Sequence, residues 1–187
     1  MKVITAPDKY ILEENDISVF LAGGITNCPD WQSKIIKDLE EKCDGSMYDN
    51  LVIFNPRREN FPIDKPSAAF EQIEWEFDNL SRMDIFSMYF CKGESDQPIC
   101  MYELGRYISE MQKRFPIDWE ERIVISVEKD YKRAQDVIVQ TGLACGGKNN
   151  FINDAQPAEE MIRYYHMTGI IGAYRRLAEL RRRCGRI

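Results

Sequence analysis

The sequence contains a single histidine, His166, in 187 residues. Because zinc sites and histidine-dependent triads place imidazole groups at defined positions, one histidine argues against both. Long apolar runs are missing as well, and no stretch reaches the roughly 20 residues that span a bilayer. The opening segment 1–7 lacks the apolar core of a secretion signal. From these absences we expect a soluble, cytoplasmic protein with no metal centre, no other cofactor and no membrane partner.

Positive charge is also in short supply. The formal net charge is -6, whereas general nucleic-acid binders are broadly basic, so a nucleic-acid polymer is not expected as a partner. A small anionic ligand held by a few local groups is still compatible with that charge.

Complete cysteine and nucleotide motifs are absent too. The six cysteines form no CxxC pair and do not cluster in loops, which indicates reduced thiols and not a disulfide framework. The Gly23-Gly24 pair lacks the GxGxxG spacing of a dinucleotide-binding fold and the lysine of a P-loop. Neither a dinucleotide fold nor an NTPase is therefore supported.

What the chain does contain is an alternation of apolar runs of strand length with segments of helical periodicity. Strands are predicted at 17–22, 50–54, 85–90 and 122–127, with a short edge strand at 151–152. Helices are predicted at 31–42, 67–83, 98–113 and 131–140, and a long one begins at Pro157. Residues 1–17 are polar and irregular, which suggests a lead-in arm.

This alternation predicts an α/β fold built from βαβ units. We expect a mostly parallel central sheet of about four to five strands with helices on both faces, a three-layer sandwich. The whole chain, 1–187, is expected to form one domain, with its core at about 17–127 and a C-terminal helical extension at about 157–184.

The helix predicted at 67–83 has two candidate faces. Phe70, Ile73, Phe77 and Leu80 follow the helical period and are predicted to face the sheet. Trp75 and Asp78 belong to an adjoining stripe. Trp75 can either offer a surface on which a nucleobase stacks or pack into the core, and the sequence does not separate these alternatives.

Glu103 is the first candidate catalytic residue. It falls within the first two turns of the helix that follows the strand at 85–90, where open parallel sheets bind their ligands. A carboxylate at that place is available as a nucleophile, and the helix dipole favours its charge. The alternative is that Glu103 only complements the helix dipole, as acidic residues in first turns commonly do.

Asp78 is the candidate second carboxylate. It borders the predicted apolar face of its helix, and a like charge from Glu103 nearby would leave one carboxyl ionised and the other able to carry a proton. Enzymes that act at an anomeric carbon use such a pair to separate nucleophile and acid. Asp84, which directly precedes a strand, is instead expected to stabilise a turn.

Three loops are expected to meet at the same edge of the sheet: 22–27, 55–58 and the approach to Glu103. A glycine pair lets the backbone come close to a ligand, although such pairs often serve only to turn the chain. Arg57, Arg58 and Arg106 can bind a 5′-phosphate, with surface ion pairs as the alternative for each.

Several of these segments together resemble the nucleoside 2-deoxyribosyltransferase superfamily, and in particular its branch close to the deoxynucleoside 5′-monophosphate N-glycosidases. The resemblance rests on the Phe20-Leu-Ala-Gly-Gly-Ile25 run, Trp75-Glu-Phe-Asp-Asn-Leu80, Asp84 before a strand, and Tyr102-Glu-Leu-Gly-Arg106. It covers roughly residues 17–127 and does not extend over about the last 50 residues.

The resemblance implies a flavodoxin-like fold, a homo-oligomer whose sites are shared between subunits, and a retaining double displacement. Glu103 matches the nucleophile, and Asp78 matches the carboxylate that assists departure of the base. No tyrosine stands in the Gly23-Gly24 loop, where the transferases carry one that contacts the sugar. The expected substrate-binding residues are Ala22, Gly23, Gly24, Ile25, Asn55, Arg57, Trp75, Gly105 and Arg106.

The leading hypothesis is an enzyme that acts on the N-glycosidic bond of 2′-deoxynucleosides or their 5′-monophosphates. Its partners would be the deoxynucleoside or deoxynucleotide and a free nucleobase. Transfer and hydrolysis differ only in whether a base or water intercepts the intermediate, and the residues favour neither decisively. A nucleotide-binding sensor without turnover is the alternative from another class, although binding alone does not require two converging carboxylates.

Overall fold

The computed structural model describes residues 1–43, 45–147, 152–154 and 159–185. The strands are Lys2–Thr5 (β1), Ile17–Gly23 (β2), Leu51–Asn55 (β3), Ile85–Phe90 (β4), Ile123–Val127 (β5) and Ile152–Asp154 (β6). The helices are Trp31–Lys42 (α1), Pro66–Arg82 (α2), Pro98–Arg114 (α3), Ala134–Ala144 (α4) and Glu159–Arg183 (α5). Short 3-10 helices lie at Ser46–Tyr48 and Trp119–Arg122.

The strands form one parallel sheet in the order β1-β3-β2-β4-β5-β6. From β3 to β6 this is the flavodoxin order, in which the first and third strands of the motif are neighbours and their connections leave in opposite directions. The flavodoxin-like three-layer sandwich expected from the sequence is confirmed. The edge strand expected at 151–152 is present at Ile152–Asp154, while residue 151 lies outside the described residues.

The prediction of an irregular arm before residue 17 was wrong in its first part. β1 pairs with β3 from Lys2↔Val52 to Thr5↔Asn55 and adds a strand at the sheet edge. Its residues are all only partly buried, as suits an edge strand. A run of four residues is too short to show the alternation from which strands are inferred.

Helices cover both faces of the sheet. On one face, α2, α3 and α4 pack against alternate strand residues such as Phe20, Phe54 and Phe86. On the other face, α1 and α5 pack against the intervening residues, such as Val19 and Ile53. The central strands β2, β3, β4 and β5 are buried almost throughout, which is why they read as continuous apolar runs.

The predicted inward face of α2 was wrong for three of its four residues. Phe70, Ile73 and Phe77 are exposed to 69%, 65% and 47%, and only Leu80 is buried. The fully buried positions are Ala68, Trp75, Asn79 and Leu80, with Gln72 and Glu76 partly buried. The inward face is therefore partly polar. Because the outer face is more apolar, the sequence pattern pointed to the wrong face as the buried one.

Asp84 lies just before β4, at the end of the sheet where the parallel strands begin. Its carboxylate accepts hydrogen bonds from the backbone amide and the hydroxyl of Ser18 at 2.9 and 3.1 Å. Arg181 of α5 donates to the other carboxylate oxygen at 2.8 Å. These contacts give Asp84 a structural place between β2 and α5. The predicted start of the last helix at Pro157 lies outside the described residues.

All six cysteines are free thiols, as the sequence predicts. Across the described residues, no helix is both long enough and apolar enough to cross a membrane.

Candidate active site

A cavity of about 290 Å³ opens where β2 and β4 end side by side and their connections diverge. This is the switch point at which doubly wound sheets bind ligands. The lining residues come from the ends of β2 and β3, from α2, and from the start of α3: Phe20, Ala22, Gly23, Gly24, Ile25, Thr26, Pro56, Glu76, Ser95, Gln97, Pro98, Ile99, Cys100 and Glu103.

The Gly23-Gly24 turn forms one wall, and its first position requires glycine. A Cβ at Gly23 would lie 2.4 Å from the carbonyl oxygen of Tyr89 and 2.5 Å from the ring of Trp31. The Trp31 indole N–H also donates to the Gly24 carbonyl at 3.0 Å. The turn is therefore pressed against the strand end and the α1 tryptophan, which fixes the position of the cavity wall.

The start of α3 forms the opposite wall. Pro98 occupies the first turn, where its missing N–H leaves no hydrogen bond unmade. The preceding Gln97 has a left-handed backbone, φ 50 and ψ 51. The Tyr131 hydroxyl donates to the carbonyl of Asp96 at 2.8 Å and holds the loop that leads into the helix. Cys100 and Glu103 then project from the first two turns into the cavity.

Two carboxyl groups, Glu76 of α2 and Glu103 of α3, line this cavity. Burial, together with the charge of Glu76, raises the pKa of Glu103 to about 8, and the charge of Arg106 opposes this shift. Burial also raises the pKa of Glu76, which is partly offset by a hydrogen bond that Gln72 donates at 2.8 Å. Near neutral pH the raised pKa leaves Glu103 mainly protonated, and the like charges disfavour ionisation of both carboxyls at once.

Of the residues predicted from the sequence, five line the cavity: Ala22, Gly23, Gly24, Ile25 and Glu103. Asp78, the predicted second carboxylate, does not join them. It is exposed and lines a separate cavity of about 630 Å³, between α2 and the segment that follows β1. The cause is the phase of α2, which turns Glu76 and not Asp78 toward the sheet edge.

Trp75 is a core residue, not a wall of the Glu103 cavity. Its ring contacts Phe20 and Phe54 at centroid distances of 5.9 and 6.0 Å, and its indole N–H donates to the Asp8 carbonyl at 2.8 Å. Only 7% of Trp75 is exposed, and what remains lines the Asp78 cavity. Of the two alternatives open from the sequence, the structure matches core packing.

The predicted cationic residues also lie outside the cavity lining. The guanidinium group of Arg57 donates to the Gln32 side chain at 2.9 Å and to backbone carbonyls of the loop after β2, including Pro29 at 2.9 Å. Arg58 pairs with Glu71 at 3.0 Å. Arg106 lies over the Phe77 ring at 4.7 Å, from where its charge still acts on Glu103.

Asn55 and Gly105 have local structural surroundings. The Asn55 side chain accepts the backbone N–H of Arg57 at 3.0 Å and so shapes the turn after β3. Gly105 is exposed and borders a small groove between α3 and α4, on the other side of α3 from Glu76.

The polar lining residues that the sequence analysis missed include Glu76 and Gln97. Glu76 lies four residues before Leu80 and next to Trp75, so a helix phase centred on those two buried residues would have found it. Gln97 carried no pattern beyond its place before Pro98, because its left-handed backbone is not typical of glutamine.

Among the described residues, no group of three or more His, Cys, Asp or Glu side chains could hold a metal ion. The site is thus a pair of carboxyls in a small cavity at the switch point of a flavodoxin-like sheet. The chain matches the family model described as nucleoside 2-deoxyribosyltransferase like over residues 16–119, more than half of its length. It belongs to that family. No curated protein matches it.

Proposed function

We propose that the protein acts on the N-glycosidic bond of 2′-deoxynucleosides as a nucleoside 2-deoxyribosyltransferase-like enzyme. The observation that carries the proposal is the Glu76–Glu103 pair, which shares one cavity and in which the Glu103 pKa is raised to about 8. Two carboxyls held in different protonation states suit chemistry at an anomeric carbon, where one attacks and the other donates a proton.

In the proposed mechanism, the base leaves as positive charge builds on the sugar. Because its pKa of about 8 leaves Glu103 mainly protonated near neutral pH, the reactive state is the one in which Glu103 has lost its proton and Glu76 carries one. Ionised Glu103 then attacks the anomeric carbon and forms a covalent deoxyribosyl ester, while the glycosidic bond breaks and its electron pair goes to the base. Protonated Glu76 supplies the proton that the departing base needs, and then, as a carboxylate, accepts one from the incoming group. A second base attacking the same carbon completes the transfer with retention.

Hydrolysis is the alternative outcome, with water in place of the second base. The position of the cations favours an unphosphorylated substrate over a 5′-monophosphate. Among the described lining residues there is no lysine or arginine, and Arg57 and Arg58 make other contacts. Two carboxyls in the same cavity also disfavour an additional anion.

We also propose that a second copy of this chain covers the outer face of α2. Phe70, Ile73 and Phe77 lie along that face at helical spacing, and Tyr102 of α3 is exposed beside the cavity. Arg106 over the Phe77 ring joins the two helices into one surface. Exposed apolar residues grouped in this way mark an association site, and Phe77 and Tyr102 are the sequence neighbours of the cavity residues Glu76 and Glu103.

Base release and base exchange, measured with a panel of 2′-deoxynucleosides and their 5′-monophosphates, test the proposed activity. We expect exchange into an added free base, and its loss in Glu103→Gln by a factor of at least about a thousand, because the nucleophile is gone. Glu76→Gln should reduce the rate of base release most strongly for those bases that leave poorly without a proton.

Asp78→Asn is the matched control on the same helix, and its activity decides between the two carboxylates. An Asp78→Asn loss as large as that of Glu103→Gln, with Glu76→Gln active, would restore Asp78 as the acid. Release of free deoxyribose without exchange would make the protein a hydrolase. If the protein bound members of the panel without turning them over, and Glu103→Gln bound them equally well, the result would favour a nucleotide-binding sensor.

A further inference from the structure

The side chain of Gln72 links Glu76, the acid of the proposed mechanism, to the wall of the cavity. Its Nε2 atom donates to the backbone carbonyl of Pro56 at 2.7 Å and to Oε1 of Glu76 at 2.8 Å. Pro56 directly follows β3 and is itself a lining residue. An amide nitrogen carries two hydrogens, so these two contacts use the full donor capacity of Gln72.

The orientation of the Gln72 amide is fixed by its partners. A backbone carbonyl only accepts hydrogen bonds, so the atom that faces Pro56 is the nitrogen. The Oε1 atom of Gln72 is left buried without a hydrogen bond from the described residues, although buried polar atoms are normally paired. Turning the amide over would place this oxygen against the Pro56 carbonyl. The donor end therefore stays directed at Glu76.

The two carboxyls of the cavity consequently differ in their surroundings. The hydrogen bond from Gln72 favours the charged form of Glu76 and partly offsets the rise in its pKa that burial causes. For Glu103, burial and the charge of Glu76 oppose ionisation, and among the described residues only the charge of Arg106 favours it. Glu76 is thus the carboxyl that ionises more readily.

No third charged group shares the cavity with this pair. Glu76 and Glu103 are the only charged side chains among the described lining residues. Cys100, on the first turn of α3, stays a neutral thiol, because burial together with the charges of the two carboxyls raises its pKa. Glu71 on α2 is exposed and pairs with Arg58 at 3.0 Å. The asymmetry of the pair therefore comes from Gln72 and Arg106.

We propose that Gln72 is a positioning residue that determines which carboxyl of the Glu76–Glu103 pair holds the proton. Its hydrogen bond to Glu76 leaves the proton on Glu103 in the free enzyme. When the proton passes from Glu103 to Glu76, Oε2 of Glu76 receives it, because Oε1 already accepts from Gln72. This inference rests on the proposed function, in which Glu76 carries the proton in the reactive state. Gln72 thus sets the share of the free enzyme in that state.

The test is a titration of the two carboxyls in the ligand-free protein, which requires no turnover. NMR of protein labelled with ¹³C at the glutamate carboxyl carbon follows each group, and the signals are assigned by their loss in Glu76→Gln and Glu103→Gln. In the Glu103→Gln background we expect Gln72→Met to raise the midpoint of Glu76 by about one pH unit, because a hydrogen bond to the charged form is lost. Gln72→Lys supplies a charged donor and should lower that midpoint.

The effect of Gln72 on Glu103 is expected to pass through Glu76. With both carboxyls present, Gln72→Met should make part of the Glu103 signal titrate at lower pH, because Glu76 then shares the proton. In the Glu76→Gln background the same substitution should leave the Glu103 titration unchanged. Gln112→Met is the matched control, since Gln112 of α3 donates instead to the Ala144 carbonyl at 3.4 Å, and it should move neither midpoint.

An unchanged Glu76 midpoint in Gln72→Met would overturn the assignment, as would shifts of the same sign in Gln72→Met and Gln72→Lys. A Glu103 shift that persists in the Glu76→Gln background, or an equal shift in Gln112→Met, would indicate a general loss of packing and would also reject it. Gln72→Lys keeps the test decisive if Gln72→Met does not fold. Base exchange is scored separately: the expected titrations without any exchange would retain the role of Gln72 and reject the proposed reaction.

Discussion

Glu103 is the nucleophile of the proposed mechanism, and its burial also destabilises the folded protein. Its pKa in the folded protein is about 8, against 4.5 for the free group, because burial and the Glu76 charge oppose ionisation. Between these values the folded state holds a proton that the unfolded state has released. Raising the pH through this window therefore lowers the free energy of unfolding.

We predict that Glu103→Gln stabilises the protein, and that the gain depends on pH. It should be small near pH 4.5 and reach about 4 kcal/mol by pH 8, since glutamine carries no charge to bury. Denaturant unfolding at both pH values measures the effect. Glu74→Gln, an exposed neighbour on α2, is the control and should change little. A stability gain for Glu103→Gln that is the same at both pH values would contradict the assigned pKa.

Whether the position of a site residue could be predicted from the sequence depended on the kind of information that determines this position. Glu103 was found because a strand, a polar loop and a proline before a helix place it by order along the chain. The choice between Asp78 and Glu76 depended instead on a helix phase that differs by about 200° over two residues, at about 100° per residue. Gln97 depended on a backbone dihedral, which composition and spacing do not encode.

At the scale of single elements, the turn after β2 determines the shape of the site. We predict that Gly23→Ala destabilises the protein by about 2 kcal/mol or more, because its Cβ would meet the Tyr89 carbonyl at 2.4 Å and the Trp31 ring at 2.5 Å. Thermal unfolding measures the loss. Gly105→Ala is the matched control, since the helical Gly105 has nothing within 4 Å of its Cβ position. It should stabilise α3 by about 0.5 to 1 kcal/mol; equal losses in both variants would refute the steric argument.

α5 is joined to the sheet through a buried histidine. His166 lies between the hydroxyls of Ser87 and Ser126, at 2.7 and 2.9 Å from its two ring nitrogens. Burial lowers its pKa from 6.5 to about 3, so it stays neutral in the folded protein. As the pH falls below about 6.5, the unfolded state takes up a proton that the folded state refuses, and the free energy of unfolding decreases.

His166→Gln should therefore make the free energy of unfolding less dependent on pH below about pH 6.5. Between pH 7.5 and 4.5 the protein with histidine should lose about 2 kcal/mol more than the variant, although the variant is less stable at neutral pH. Chemical unfolding at the two pH values gives the comparison. Parallel acid limbs would show that His166 is not buried as a neutral group.

For the whole molecule, the parallel α/β architecture was predictable in outline, because buried parallel strands read as apolar runs such as Ile85–Phe90 and segments of helical period alternate with them. β1 was not, since four partly buried residues at an edge carry little periodic signal. The outer face of α2 misled for a different reason. Its apolar residues suit burial, but they do not face this chain's own sheet.

That outer face leads to a prediction about assembly. If a second copy covers Phe70, Ile73 and Phe77, the protein should sediment as a dimer or larger species, and Ile73→Glu should shift it to monomer by placing a charge at the centre of the contact. Ile117→Glu is the control, because Ile117 is 97% exposed but lies in the turn after α3, away from this face. Because the contact adjoins the Glu103 cavity, base exchange should fall with the dimer in Ile73→Glu and persist in Ile117→Glu. A monomer at every concentration tested, or a dimer indifferent to Ile73→Glu, would assign the apolar face of α2 to some other partner.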